Sequence, residues 1–202
     1  MLYADLLSAI ASYTKRSDTA TLAPTWIALT EAKLNRELRH FRGLTRLATT
    51  ISAEFTNAPS DLLALRSARL IDSPYWPLPC LSAEQMAGRR AEQRSGTLDS
   101  LALIGAQLCA SPVPAATYNV EILYYAAIPG LSAAATSNWV LANFPALYLW
   151  GTLTEAANFY EDDDQLTKYG SLFRDALMGA NAASVKAEAP FGLSPSPSVR
   201  AV

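Results

Sequence analysis

The stretch Ser137–Tyr160, SNWVLANFPALYLWGTLTEAANFY, is long, apolar, rich in aromatic residues and almost free of charge. A chain carrying such a segment must bury it, in its own core or against a partner. Asn143, Pro145 and Glu155 interrupt it, so it does not read as a bilayer span. Asn138 is placed to cap a short helix, and Pro145 to open a longer one in its first turn. Leu149, Leu153, Ala156 and Tyr160 then form a stripe at helical spacing, widened by Leu147, Trp150 and Thr154. Glu161, Asp162, Asp163 and Asp164 follow at once, where carboxylates favour the positive end of a last helix. Leu166, Tyr169, Phe173, Leu177 and Ala180 give that helix its own stripe. Two long helices joined by a short polar turn form an antiparallel hairpin.

The rest of the chain is organised around this hairpin. Leu2, Leu6, Ala9 or Ile10, and Tyr13 predict a first helix over 2–15. Pro24 suits the opening of a second, over 24–41, with Ile27, Leu34, Leu38 and Phe41 on one face and Gly43 as its stop. From Leu47 the period changes to two, and residues 46–126 read as a β region of about four antiparallel strands. Within it, Leu101–Leu108 pairs with Tyr118–Ala126 across the link Ser111–Pro114. The strand YNVEILYYA has Glu121 as its only charge. Pro74, Pro77 and Pro79 make a loop or a short edge strand that bears Tyr75 and Trp76. Ser82 and Gln85 have the spacing of a reciprocal cap on a short helix, 82–92. The final helix is expected over 164–182. The class is therefore α+β: a helical bundle with an inserted antiparallel sheet, residues 1–183, and an extended C-terminal arm, 184–202. The arm has three prolines and no periodicity.

Composition narrows function mainly by exclusion. The formal net charge is −2, so the chain as a whole is no polycation for DNA phosphates. Charge is unevenly spread, with Lys33, Arg36, Arg39, His40, Arg42 and Arg46 clustered early and Glu161–Asp164 late. Opposed patches of this kind can orient subunits or partners, although solvated faces are the simpler reading. A DNA-binding or packaging role for the basic helix 33–46 stands as the alternative; its positives spread around the helix and lack an aromatic platform. Cys80 and Cys109 match no zinc or redox spacing and are expected as buried, reduced thiols. The first residues carry Asp5 and lack a basic leading region, so no secretory leader is expected. No nucleophile–base set, phosphate loop or metal motif is present, so no enzyme activity, cofactor or metal is expected. His40, the single histidine, reads as a helix-end residue rather than a base. The acidic run lacks the alternation of a calcium loop and reads as capping.

Several blocks in order carry a resemblance. They are TWIALTEAKLNRELR (Thr25–Arg39), APSDLLALRSARL (Ala58–Leu70), LSAEQM (Leu81–Met86), IGAQL with SPVP and YNVEILYYAAIPGLS (Ile104–Ser132), and NWVLANFPALYLWGTLTEAANFYEDD (Asn138–Asp163). Together, over roughly residues 20–180, they resemble the head-to-tail adaptor, or connector, proteins of tailed bacteriophages. The last block is the most specific.

The resemblance implies a virion structural protein made in the host cytoplasm and placed in the neck, with no membrane partner. Such adaptors form a ring, typically of twelve subunits, beneath the portal protein. The ring extends the DNA channel, passes double-stranded DNA without sequence-specific binding, and docks a tail, nozzle or stopper protein. Portal contacts are expected from the arm, through Phe191, Leu193, Val199 and Arg200. Subunit or tail contacts are expected from Arg36, Arg39, Arg42, Tyr75, Trp76, Arg89 and Arg90.

Overall fold

A computed structural model describes residues 1–72, 76–92 and 95–188. The fold is α+β, as the alternation of helical and strand periods predicts, and the chain divides into two compact units. One is helical and discontinuous in sequence, Met1–Arg42 with Ile128–Val202; the other, Gly43–Ala127, holds the strands.

The helical unit contains α1 (Tyr3–Thr14), α2 (Thr19–Glu37), α4 (Trp139–Asn143), α5 (Pro145–Phe159) and α6 (Asp163–Glu188); α3 (Ala83–Glu92) belongs to the other unit. The apolar stretch is the core element, as its composition requires. Val140, Leu141, Leu147, Tyr148, Leu153 and Ala156 are buried with Leu6 and Ile10 of α1, Trp26, Ile27 and Leu34 of α2, and Phe173 and Leu177 of α6. Asn138 caps α4, its Oδ1 accepting from Leu141 N at 2.9 Å, and Pro145 is the first residue of α5. Gly151 marks the tightest approach. A Cβ there would lie 2.4 Å from Thr30 Cγ2 of α2 and 3.1 Å from the Phe173 ring of α6.

Three helix limits differ from expectation. α2 begins at Thr19, so Pro24 lies in its second turn rather than its first. The missing amide faces the carbonyl of the exposed Ala20, which water can reach, so the helix survives it. α2 also stops at Glu37, before Gly43. Asn181 of α6 ends it: Arg39 N donates to Asn181 Oδ1 at 2.9 Å, and Asn181 Nδ2 donates to Glu37 O at 3.3 Å. α6 runs on to Glu188, into the segment expected as the start of the arm. Ala182, Ala183, Lys186 and Ala187 are strong helix formers, and the first breaker is Pro190. Ser184 continues the buried stripe, and its Oγ accepts from Phe41 N at 2.8 Å.

The strand unit is richer than four strands. Its described residues carry β1 (Leu44–Ile51), β2 (Phe55–Asn57), β3 (Leu62–Leu70), β4 (Trp76–Leu78), β5 (Cys80–Leu81), β6 (Ser95–Gly96), β7 (Ser100–Ile104), β8 (Gln107–Ser111), β9 (Val113–Pro114) and β10 (Tyr118–Ala126). They form sheets of order β1-β10-β3-β4 and β2-β8-β7-β5, and the pair β6-β9. Leu101–Leu108 is not one strand paired with β10. Gly105, at φ +60°, turns the chain between β7 and β8, and that hairpin joins the second sheet. β10 instead lies between β1 and β3, with Ala48 and Arg69 opposite Glu121. Most of the ladder is antiparallel, but β5–β7 and β6–β9 are parallel. The described part of the proline-rich segment, Trp76–Leu78, is a short edge strand, β4, and Ser82 with Gln85 makes the expected reciprocal cap of α3 (3.0 and 3.2 Å). Cys109 is buried and Cys80 is exposed, against the expectation of two buried thiols; both are free. Cys80 sits at an edge, on a strand of two residues, which is too little structure to cover it.

Candidate functional site

The arginines expected at contacts fall into two groups. In the helical unit, Arg36 reaches solvent and pairs with Glu37 at 2.7 Å. Arg39 Nη1 donates to the carbonyls of Asn35 and Leu38 at 3.1 and 3.0 Å, completing the end of α2. Arg42 is exposed, its guanidinium 5.5 Å from the Phe41 ring centre. Lys33 is tied to Glu155 of α5. The basic helix is therefore largely engaged with its own fold and presents few unpaired cations along one face.

His40 lies beneath this end, only 2% exposed, stacked on Trp139 and edge-on to Phe144. Its Nδ1 accepts from Arg42 N at 3.2 Å, which requires that nitrogen to be unprotonated. Burial, helped by the Arg42 charge, holds its pKa below the ordinary histidine value. It is a neutral imidazole packed among aromatic rings, whereas its place at a helix end suggested an interaction with the helix terminus.

A second polar cluster anchors the segment that leads into α4. Glu31 Oε1 accepts from Leu131 N at 2.8 Å and from Tyr148 OH at 3.1 Å. Asn138 Nδ2 donates to Tyr148 OH at 2.6 Å and to Pro129 O at 2.7 Å. Burial raises the pKa of both Glu31 and Tyr148. The cluster is satisfied internally and points to stability rather than chemistry.

In the strand unit, Trp76 is 59% exposed on the edge strand β4. Tyr75, its expected companion, lies outside the described residues, as do Phe191, Leu193, Val199 and Arg200. Arg89 pairs with Asp99 at 2.8 Å. Arg90 pairs with Glu54 and lies over the Phe55 ring, 5.3 Å from its centre. Arg89 and Arg90 are thus on one helix but braced by different neighbours.

Sequence reasoning missed a groove of about 460 Å³ on the face of β1-β10-β3-β4 away from its core. Arg46, Arg69, Glu121, Leu123 and Pro77 line it. Glu121 is 8% exposed; Arg46 Nε donates to its Oε2, and Arg69 Nη2 donates to its Oε1 at 2.6 Å. Both arginines are at least half exposed. The signal was a lone glutamate in an otherwise apolar strand, but its partners depended on a register that alternation alone does not set.

Among the described residues no cluster of three or more His, Cys, Asp or Glu can hold a metal, and no helix is long and apolar enough to cross a membrane. Arg36 and Arg42 in the helical unit, and Arg89 and Trp76 in the strand unit, are exposed. The family model described as SU10 adaptor protein matches residues 1–194. The chain belongs to this family of phage head-to-tail adaptors. A comparison with curated proteins gives no match. Membership of the SU10 adaptors bears out the resemblance carried by the ordered blocks, and the match extends it to both ends of the helical bundle. It identifies a phage adaptor protein, for which a structural rather than catalytic role is implied.

Proposed function

We infer that this SU10 adaptor acts as one subunit of a twelve-membered ring in the virion neck, seated under the portal protein and docking tail components below. The observation that carries this reading is the family match over residues 1–194. The ring extends the channel, and double-stranded DNA passes through without sequence-specific binding. A ring requires heterologous lateral contacts, in which two different surfaces of one chain meet. Exposed Arg36, Arg42, Trp76 and Arg89 are suited to such contacts with a neighbouring subunit or with a tail, nozzle or stopper protein. Arg39 and Arg90, braced by their own folds, belong to the same surfaces. Portal docking is assigned to the C-terminal arm through Phe191, Leu193, Val199 and Arg200. A nucleic-acid role for the basic stretch 33–46 is less favoured, because it is not one helix, Arg46 lying in β1, and Lys33, Arg36 and Arg39 are held by intramolecular partners.

Native mass measurement of the purified chain, alone and with the portal protein of its phage, tests the reading. A dodecamer, or twelve copies on the portal, is expected. A monomer under both conditions refutes it.

A further inference from the structure

We propose that the Arg46–Glu121–Arg69 groove is a lateral docking site, and that its occupant is the acidic corner between α5 and α6 of a second copy. This rests on the ring reading above and names one of its contacts. The groove is built rather than incidental. Glu121 is buried at the centre of β10, with Arg69 directly opposite on β3 and Arg46 reaching across from β1. One carboxylate is shared by two guanidiniums, and because Arg69 has a further partner, the spare donors at the sheet surface are those of Arg46. A guanidinium has five N–H donors. Among the described residues only the Nε of Arg46 has a hydrogen-bond partner, Glu121, so its terminal nitrogens keep donors to spare on a side chain that lines the groove. Buried Glu121 holds the Arg46 guanidinium at the groove through that Nε.

The complementary surface is on the same chain. Glu161, Asp162, Asp163 and Asp164 are all exposed at the turn into α6. The left-handed backbone of Glu161 (φ 55°) makes that turn compact, and Asp162 Oδ1 accepts from Gln165 N at 3.1 Å. Glu161, Asp163 and Asp164 have no ion pair among the described residues. Two cations of the same unit have other partners: Arg16 is on Asp18 at 3.3 Å and over the Tyr160 ring, and Lys168 lies over Tyr169. A carboxylate carries the acceptors that the outward donors of Arg46 lack, and bidentate pairing matches both geometries. A DNA backbone fits less well, because duplex binding draws on several phosphate contacts in a row, and the groove offers few cations around a fixed carboxylate.

Sedimentation of the full-length chain, with and without portal protein and at low and high salt, tests this. Arg46→Gln, and separately Asp163→Lys with Asp164→Lys, should each weaken subunit association by about tenfold or more, and the wild-type assembly should loosen with salt. Combining Arg46→Glu with the two lysine substitutions should restore association; circular dichroism checks its folding, and Arg46→Gln keeps the test open if that variant misfolds. Assembly unchanged in both Arg46→Gln and the lysine variant overturns the pairing while leaving the ring intact. Wild-type chain that never associates, even on portal, overturns the ring and the pairing together. Retention of duplex DNA that depends on Arg46, with assembly unaltered, assigns the groove to phosphates and also overturns the proposal.

Discussion

Replacing Gly151 by alanine tests the packing of the helical unit at its tightest point. In a free helix the change is favourable by about 1 kcal/mol, since alanine is the better helix former. Here the new methyl meets Thr30 Cγ2 at 2.4 Å and the Phe173 ring at 3.1 Å. Thr30 is fully buried and its Oγ1 donates to Trp26 O at 2.9 Å, so its methyl cannot rotate away without breaking that bond. Overpacking of this kind costs about 1–3 kcal/mol, and the overlap with a pinned side chain places the cost at the upper end. The net loss is then about 1–2 kcal/mol, or roughly 2–8 °C in Tm for a chain of this size. Thr30→Ser keeps the hydroxyl and removes the methyl, at a cost of about 1 kcal/mol for the lost buried carbon. In that background Gly151→Ala should become neutral or stabilising. Thermal and urea unfolding of the four proteins of this cycle gives the coupling directly. Equal destabilisation by Gly151→Ala in both backgrounds refutes the steric reasoning.

Other outcomes follow from the same geometry. His40 is held neutral, with a folded pKa below its unfolded value near 6.5, so the unfolded chain takes up the proton first. Stability should be full above about pH 6.5 and fall as pH drops toward the folded value, by at most about 1.4 kcal/mol per pH unit. With a single histidine in the chain, His40→Asn should flatten that part of the pH profile, read by urea unfolding. Asn138→Ala removes the α4 cap and one partner of Tyr148 OH, and should cost about 2–3 kcal/mol in chemical denaturation. A chain ending at Glu188 should keep its Tm while losing portal docking, whereas one ending at Ala183 should also lose about 1 kcal/mol, because Phe41 N loses its acceptor on Ser184. Trp76→Ala should leave unfolding unchanged within about 0.5 kcal/mol and weaken assembly on the portal; unimpaired assembly would exclude the exposed indole from the interface.

Local chemistry was legible in the sequence wherever a residue satisfies its own neighbours. Asn138 and Ser82 with Gln85 cap as their spacing dictates, Pro145 opens α5, and the apolar stretch is core. Long-range chemistry was not. α2 ends where Asn181, far along the chain, supplies a cap, and Ser184 prolongs α6 by a tertiary bond. Strand partners were misassigned because alternation fixes a face without fixing a neighbour, and Gly105 carried the only local sign of the β7–β8 turn. The groove around Glu121 depends on that register and so appeared only with the sheet. Which of the expected arginines are braced and which are exposed is a property of tertiary partners, which the sequence does not set.

The helical unit is assembled from the two ends of the chain, and this sets an order of events during synthesis. α1 and α2 leave the ribosome with Leu6, Ile10, Trp26 and Leu34 uncovered, because α5, which buries them, is completed about 120 residues later. At ordinary rates of translation that is a wait on the order of ten seconds. Residues 43–127 can complete their own core in that interval, and closing it brings the chain ends at 42 and 128 under a shorter tether than an unfolded loop of that length. The inserted sheet thereby lowers the entropy cost of joining the first helices to the last. Weakening its core should slow formation of the helical unit as well, and leave an apolar N-terminal pair exposed for longer to aggregation.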